Sequence, residues 1–135
     1  MERFLGKYSP YLYALLRIIS GLMFAMHGSQ KLFGIPGNTP PIDAPLMTVA
    51  GVIELVGGLM IALGLLAGYA AFITSGMMAV AFFKQHFQTD NILPILNRGE
   101  LAVLYCFVFL YIASQGSGVW SLDQLLHRPK TGPAS

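Results

Sequence analysis

The sequence predicts an all-α protein, a four-helix transmembrane bundle running up-down-up-down, and three observations predict it. First, 55% of the 135 residues are hydrophobic and only 10% are charged, against roughly 25% charged in an ordinary soluble domain. Eight basic and six acidic side chains are too few to cover a water-soluble globule of this size. Second, the mean hydropathy is +0.63, and the apolar residues fall into four runs near the ~20 residues that a helical crossing needs. Third, helix start and stop residues punctuate the runs, and no alternating strand pattern competes with them. The length allows one domain, 1–135. A net charge of +2 without any run of Lys or Arg argues against a nucleic-acid surface. The single cysteine, Cys106, excludes an internal disulfide, a C-x-x-C redox pair, a C-x-x-C-H haem attachment and a thiolate zinc cage, and no metal site is predicted.

The first helix is expected over about 10–33. Ser9-Pro10 offers a cap and a first-turn proline, and Gly34 with Pro36 closes it. Arg3 and Lys7 give a basic start like that of a secretory leader. The apolar stretch is too long for one, contains Arg17, and exits through Met26-His27-Gly28-Ser29-Gln30-Lys31 with no small-x-small cleavage site, so it reads as a permanent helix. The second helix, about 45–66, opens at Asp43 and Pro45. A tight turn around Ala67-Gly68 leads to the third, about 69–86. The fourth, about 98–115, opens where Asn97 and Glu100 have capping-box spacing. The last two runs are short, which implies tilt or local thinning of the bilayer. Beyond them, 120–127 reads as a short interfacial segment anchored by Trp120, and 133–135 as a frayed tail.

An even number of crossings puts both termini on one side. They carry Arg3, Lys7, Arg128 and Lys130, whereas the two longer loops add mainly Arg98, with Lys31 and Lys84 at helix ends. The positive-inside bias then places both termini in the cytoplasm and the loops 35–44 and 87–96 outside.

Ionisable side chains within membrane spans are costly, so each is a functional candidate. Arg17, His27, Lys31, Glu54, Lys84, His86 and Glu100 lie in or at the ends of the predicted helices. At ~1.5 Å rise per residue, His27 sits about 9 Å and Lys31 about 3 Å below the outer end of helix one, with Glu54 about 12 Å down helix two from the same side. Lys84, His86 and Glu100 fall at the outer ends of helices three and four. Side chains lean toward their helix N-terminus, so His27 and Lys31 lean inward and Glu54 leans outward toward them. A bond from Glu54 to either is natural. Gly51 and Gly58 share the Glu54 face and let another helix approach closely there. On helix one, Arg17, Gly21, Phe24, Gly28 and Lys31 line one face, with His27 on its flank. The prediction is a small pocket between helices, opening outward, with His27, Lys31, Glu54, Lys84 and Glu100 as ligand-binding candidates.

Local explanations compete at each position. Glu54 with Lys31 or His27 also reads as a purely structural pair, Glu100 as part of a capping box, Lys84 as interfacial, and His86 as a solvated helix end. Arg17 leans toward its nearer, cytoplasmic surface, so snorkelling is the reading for it. Met23, Met26, Met77 and Met78 read as packing rather than a metal pathway. Cys106, with no basic neighbour in sequence, reads as inert.

These residues resemble the DoxX family of small four-helix membrane proteins. The resemblance rests on Phe24-Ala25-Met26-His27-Gly28-Ser29-Gln30-Lys31-Leu32-Phe33-Gly34, on Gly51-x-x-Glu54-Leu-Val-Gly57-Gly58, and on Leu63-Gly64-Leu65. It continues through Ala70-Ala71, Met77-Met78, Asn97-Arg98-Gly99-Glu100 and the closing Gly116-x-Gly118-x-Trp120-Ser121-Leu122-Asp123. One departure is that the turn after helix two, Leu66-Ala67-Gly68, lacks the basic residue usual there. The resemblance implies association with membrane redox complexes, since some relatives are membrane subunits of a thiosulfate:quinone oxidoreductase and others are linked to thiol-redox complexes. It also implies the bacterial cytoplasmic membrane.

The leading functional expectation is therefore a membrane subunit of a quinone-linked oxidoreductase complex. In it, His27 and Glu54 are the catalytic candidates, relaying protons, and Lys31 stabilises a developing quinol anion. The chain carries no covalent cofactor motif, so a flavin, haem or iron–sulfur partner has to supply electrons. Haem ligation by His27 and His86 is disfavoured by their different depths and helices. Two alternatives stand beside it: a non-catalytic scaffold or assembly subunit, and a small-solute carrier working as a homo-oligomer. Every reading has the lipid bilayer as a partner and none has nucleic acid.

Overall fold

Helices make up most of the described residues in the computed structural model, which describes residues 2–41, 43–87 and 89–127. They are α1 (Glu2–Leu5), a 3-10 turn (Gly6–Tyr8), α2 (Ser9–Phe33), α3 (Pro45–Leu63), α4 (Ala67–Ala81) continued by a π-helical turn (Phe82–His86), α5 (Glu100–Gln115) and α6 (Leu122–Leu126). Among the described residues there is no β-strand. Three stretches, Arg3–Phe33, Pro45–Leu63 and Ala67–His86, are long and apolar enough to cross a membrane, and Glu100–Gln115 is apolar but shorter. The basic side chains at 128 and 130 and the tail at 133–135 lie outside the described residues.

Proline and glycine set most of the boundaries. Pro10 and Pro45 sit in the first turns of α2 and α3, where a missing N–H costs nothing. Gly34 and Gly64 end the same helices in the left-handed region, at φ 71° and 69°, the conformation a helix stop needs and a side chain resists. Two expected caps do not form. Ser9 does not cap α2, because the chain arrives already helical through α1 and the 3-10 turn, and Tyr8 at the cap position makes no side-chain bond. At α5 the capping box is also absent. Gly99 takes the cap position without a side-chain bond, and Asn97 Oδ1 instead accepts the Gly99 N–H at 2.9 Å, closing a turn just outside the helix.

In hydrocarbon, helices associate through close packing rather than the hydrophobic effect, and the α2–α3 seam is built for it. The two helices run in opposite senses with their backbones in contact. A Cβ on Gly21 would lie 2.7 Å from the Gly58 carbonyl oxygen, and one on Gly28 would lie 2.6 Å from that of Gly51. α4 lies along α5, where the Ser75 hydroxyl donates to the Cys106 carbonyl at 2.7 Å. An aromatic cluster ties α2 to α5: Phe24 meets Phe109 at 4.7 Å and Tyr105 at 5.2 Å between ring centroids. The outward faces are apolar, as at Ile19, Val52, Phe72, Leu104 and Phe107, while Arg17, Glu54, Thr74 and Ser75 are buried. That inverts the soluble arrangement and suits lipid.

Arg17 does not snorkel to a surface. It is fully buried and donates to the carbonyls of Ile61 (3.3 Å), Val119 (3.3 Å) and Trp120 (2.7 Å). It thereby adds a second donor to the Ile61 carbonyl at the end of α3, which also accepts the Gly64 N–H at 3.1 Å, and it pins the loop after α5. Side chains cannot share that space: a Cβ on Gly64 would collide with the guanidinium and with Ser121. Positive φ at Gly116, Gly118 and Trp120 (77°, 65° and 54°) curls the loop beneath Arg17. Trp120 is left 57% exposed, its ring 5.2 Å from that of Tyr11. Ser121 caps α6 by accepting the Gln124 N–H at 3.2 Å.

Asp123 completes this latch. Its carboxylate accepts the Leu66 N–H at 2.8 Å and the Ser117 hydroxyl at 2.5 Å, and its own N–H donates to the Gly64 carbonyl at 3.1 Å. The Ser117 hydroxyl, and after it the Leu66 N–H, hold the Asp123 carboxyl below the usual carboxylate range. A lowered value in the folded state gives stability that is complete above the ordinary aspartate value, about 3.9, and lost as pH falls through the lowered one. Proteolysis of the 116–121 loop in detergent-purified protein is therefore expected to be unchanged from neutrality down to that range, and to rise only below it. Asp123→Ala is expected to open the loop at neutral pH.

Candidate functional site

At the other end of the α2–α3 seam the missing Cβ atoms do a second job. Gly28 brings the α2 backbone onto α3, and Gly51 leaves room for the stem of Lys31, whose Cβ would be 3.2 Å from a Cβ at Gly51. Lys31 therefore reaches across to Glu54, and its Nζ donates to Glu54 Oε1 at 2.5 Å. The Glu54 side chain is 3% exposed and that of Lys31 26%. Of the two partners open to Glu54, Lys31 takes it. The second carboxylate oxygen, Oε2, is buried and has no hydrogen-bond partner among the described residues.

A cavity of about 100 Å³ adjoins the pair between α2, α3 and α4. Ala50, Met77, Met78 and Ala81 form apolar walls, and Lys31, Glu54, Lys84 and Gln85 are its polar members. Lys84 and Gln85 arrive on the π-helical turn, a local distortion frequent at functional sites. Two ammonium groups and one half-paired carboxylate thus border a small volume with apolar walls. Such a set donates to an oxygen atom and accepts a proton.

Not every candidate gathers here. Glu100 is exposed and lines a separate groove with Arg98, Leu101, Leu104 and Phe107 on the outward side of α5. His86 is half-buried, its Nδ1 3.1 Å from the Asn97 carbonyl oxygen, so it fastens the α4–α5 loop rather than standing free in solvent. His27 is half-buried and makes no bond to Glu54. It meets the ring of Tyr105 edge-on at 6.1 Å. Tyr105, which does not line the cavity, is a residue that sequence reasoning did not single out. Its hydroxyl is buried without a partner among the described residues. The one signal available was a phenol in the middle of an apolar run. No group of three or more His, Cys, Asp or Glu side chains able to hold a metal ion occurs among the described residues.

Apolar outward faces, helices of crossing length and a buried ion pair define a helical integral membrane protein. The chain belongs to the DoxX family, whose model matches residues 12–87. It is 44% identical over 125 residues to an "Uncharacterized protein" of Haemophilus influenzae, covering 88% of this chain and 93% of that one. It is 27% identical over 121 residues to the Bacillus subtilis protein named "Putative oxidoreductase CatD", covering 86% and 87%. No solved structure matches the chain significantly.

Proposed function

We propose that this chain crosses the bacterial cytoplasmic membrane four times with both termini inside, and serves as the membrane subunit of a quinone-linked redox complex. The observation that carries the reading is the Lys31–Glu54 pair, buried beside a cavity it shares with Lys84. An ion pair in hydrocarbon is costly, and such pairs mark ligand sites and proton relays. The name of the Bacillus relative supports the redox assignment.

The cavity is smaller than the ~300–1,000 Å³ usual for whole ligands, so it suits a head group alone. Its rim includes the exposed Leu46 and Val80, where an isoprenoid tail would stay in lipid. Methionine walls pack against a ring, Lys31 and Lys84 donate to a quinone oxygen, and Glu54 exchanges a proton with it. His27 lies on the Tyr105 side of the same layer, where it passes protons onward. Electrons come from a partner protein that carries a redox cofactor.

Glu54→Gln keeps the shape and removes the exchangeable charge. In natively purified complex, quinone-dependent turnover is expected to fall by at least ~100-fold, the lower end of what a positioned acid or base contributes, while the complex stays assembled. Unchanged turnover would exclude the relay. Loss of the assembled complex, with normal turnover in the remainder, would favour a scaffold.

A further inference from the structure

We infer that Glu54 Oε2 and the Tyr105 hydroxyl share one bridging O–H group, which makes Tyr105 a further member of the ligand site. Both residues are almost entirely buried, at 2% and 6% exposure, and both polar atoms lack a partner. They occupy one layer of the bundle. Glu54 joins α2 through Lys31 at the level of Gly28, where an added Cβ would meet the Leu55 nitrogen, and Tyr105 joins α2 through the adjacent His27 and through Phe24. Buried polar atoms left unpaired are rare and costly, and two in one layer of the bundle point to a shared partner.

The chemistry of that partner follows from what each end offers. A carboxylate only accepts hydrogen bonds, and a phenol donates one. The bridging atom therefore donates to Glu54 and accepts from Tyr105. A water or an alcohol, phenol or quinol hydroxyl does both, whereas a quinone carbonyl only accepts and leaves Glu54 unpaired. Where a ligand supplies the group, the site holds the reduced, hydroxyl form more tightly than the oxidised one. That clause rests on the quinone reading; the bridge itself does not.

Thermal unfolding in detergent tests it with wild type, Tyr105→Phe, Glu54→Gln and the double variant. Tyr105→Phe keeps the ring against Phe24 and Phe109 and removes one oxygen. A bridged hydroxyl predicts a fall in Tm on the order of 3 °C and a smaller fall when Glu54 is already Gln. A rise or no change in Tyr105→Phe, as for a hydroxyl without a partner, or strict additivity, would overturn the bridge. If Glu54→Gln fails to fold, the sign of the single change decides. Repeating the melts with a short-tailed quinol and its quinone separates the sources. A quinol that stabilises wild type more than Tyr105→Phe supplies the hydroxyl itself, and equal or absent shifts leave water as the donor. A probe quinone that stabilises both proteins while Tyr105→Phe raises Tm would uphold the ligand pocket and overturn the bridge, so the two ideas fail separately.

Discussion

Lys31→Met is expected to destabilise the protein by about 3–5 kcal/mol, the cost of stripping one partner from a buried ion pair. Glu54 is the more deeply buried member, and its Oε2 already lacks a partner, so loss of Lys31 leaves the whole carboxylate without a donor among its described neighbours. Adding Glu54→Gln is expected to restore most of the stability, because a neutral pair of similar volume removes the charge that the interior cannot solvate. Turnover should behave differently. The proposed site needs a group that exchanges a proton, so the double variant should melt near wild type and remain inactive. Thermal unfolding beside a quinone-dependent assay separates these outcomes. Recovery of both stability and activity would mean that the pair is structural only.

Gly28→Ala is expected to cost more than about 3 kcal/mol, at or above the top of the usual range for overpacking. The added carbon would sit 2.6 Å from the Gly51 carbonyl oxygen and against the Leu55 backbone as well. Backbone cannot rotate aside as a side chain can, so α2 and α3 must separate. The damage then spreads to Lys31, less than one turn further along α2, whose reach to Glu54 depends on that contact. Gly76→Ala in α4 is the matched control. Nothing lies within 4 Å of a Cβ there, and replacing a mid-helix glycine is expected to gain up to about 1 kcal/mol. Yield and melting temperature of the two variants should move in opposite directions. A Gly28→Ala protein that melts like wild type would show that the seam is looser than its geometry.

The Lys31–Glu54 pair was legible in the sequence because glycines on both helices fix rotation as well as depth. Gly28 on one side, and Gly51 and Gly58 on the other, mark the faces that must meet. Depth alone is easy to read, since it needs only the rise per residue. It is not enough where the apolar pattern is uniform around the helix. Glu100 has a depth near that of Lys84, yet it faces a separate groove, because the run from Leu101 to Tyr111 does not say which side looks inward. The same uniformity hid Tyr105. Arg17 was misread for another reason. Its direction along the helix pointed to the near surface, but the carbonyls it binds belong to residues 61, 119 and 120. Only the long-range fold of the loop after α5 brings them together. Gly116 and Gly118 take positive φ in that loop, but their place in the sequence does not say what lies above it.

The central claim, that the Lys31–Glu54 cavity takes a quinone head group, is tested most directly by photolabelling. The protein in membranes is exposed to a photoreactive quinone analogue, digested, and mapped by mass spectrometry. Saturable labelling within residues 46–54 and 77–85, the α3 and α4 walls of the cavity, is the expected result, with loss of that labelling in Glu54→Gln. Labelling that does not saturate, or that falls only on the outward groove of α5 around Leu104 and Phe107, would contradict it.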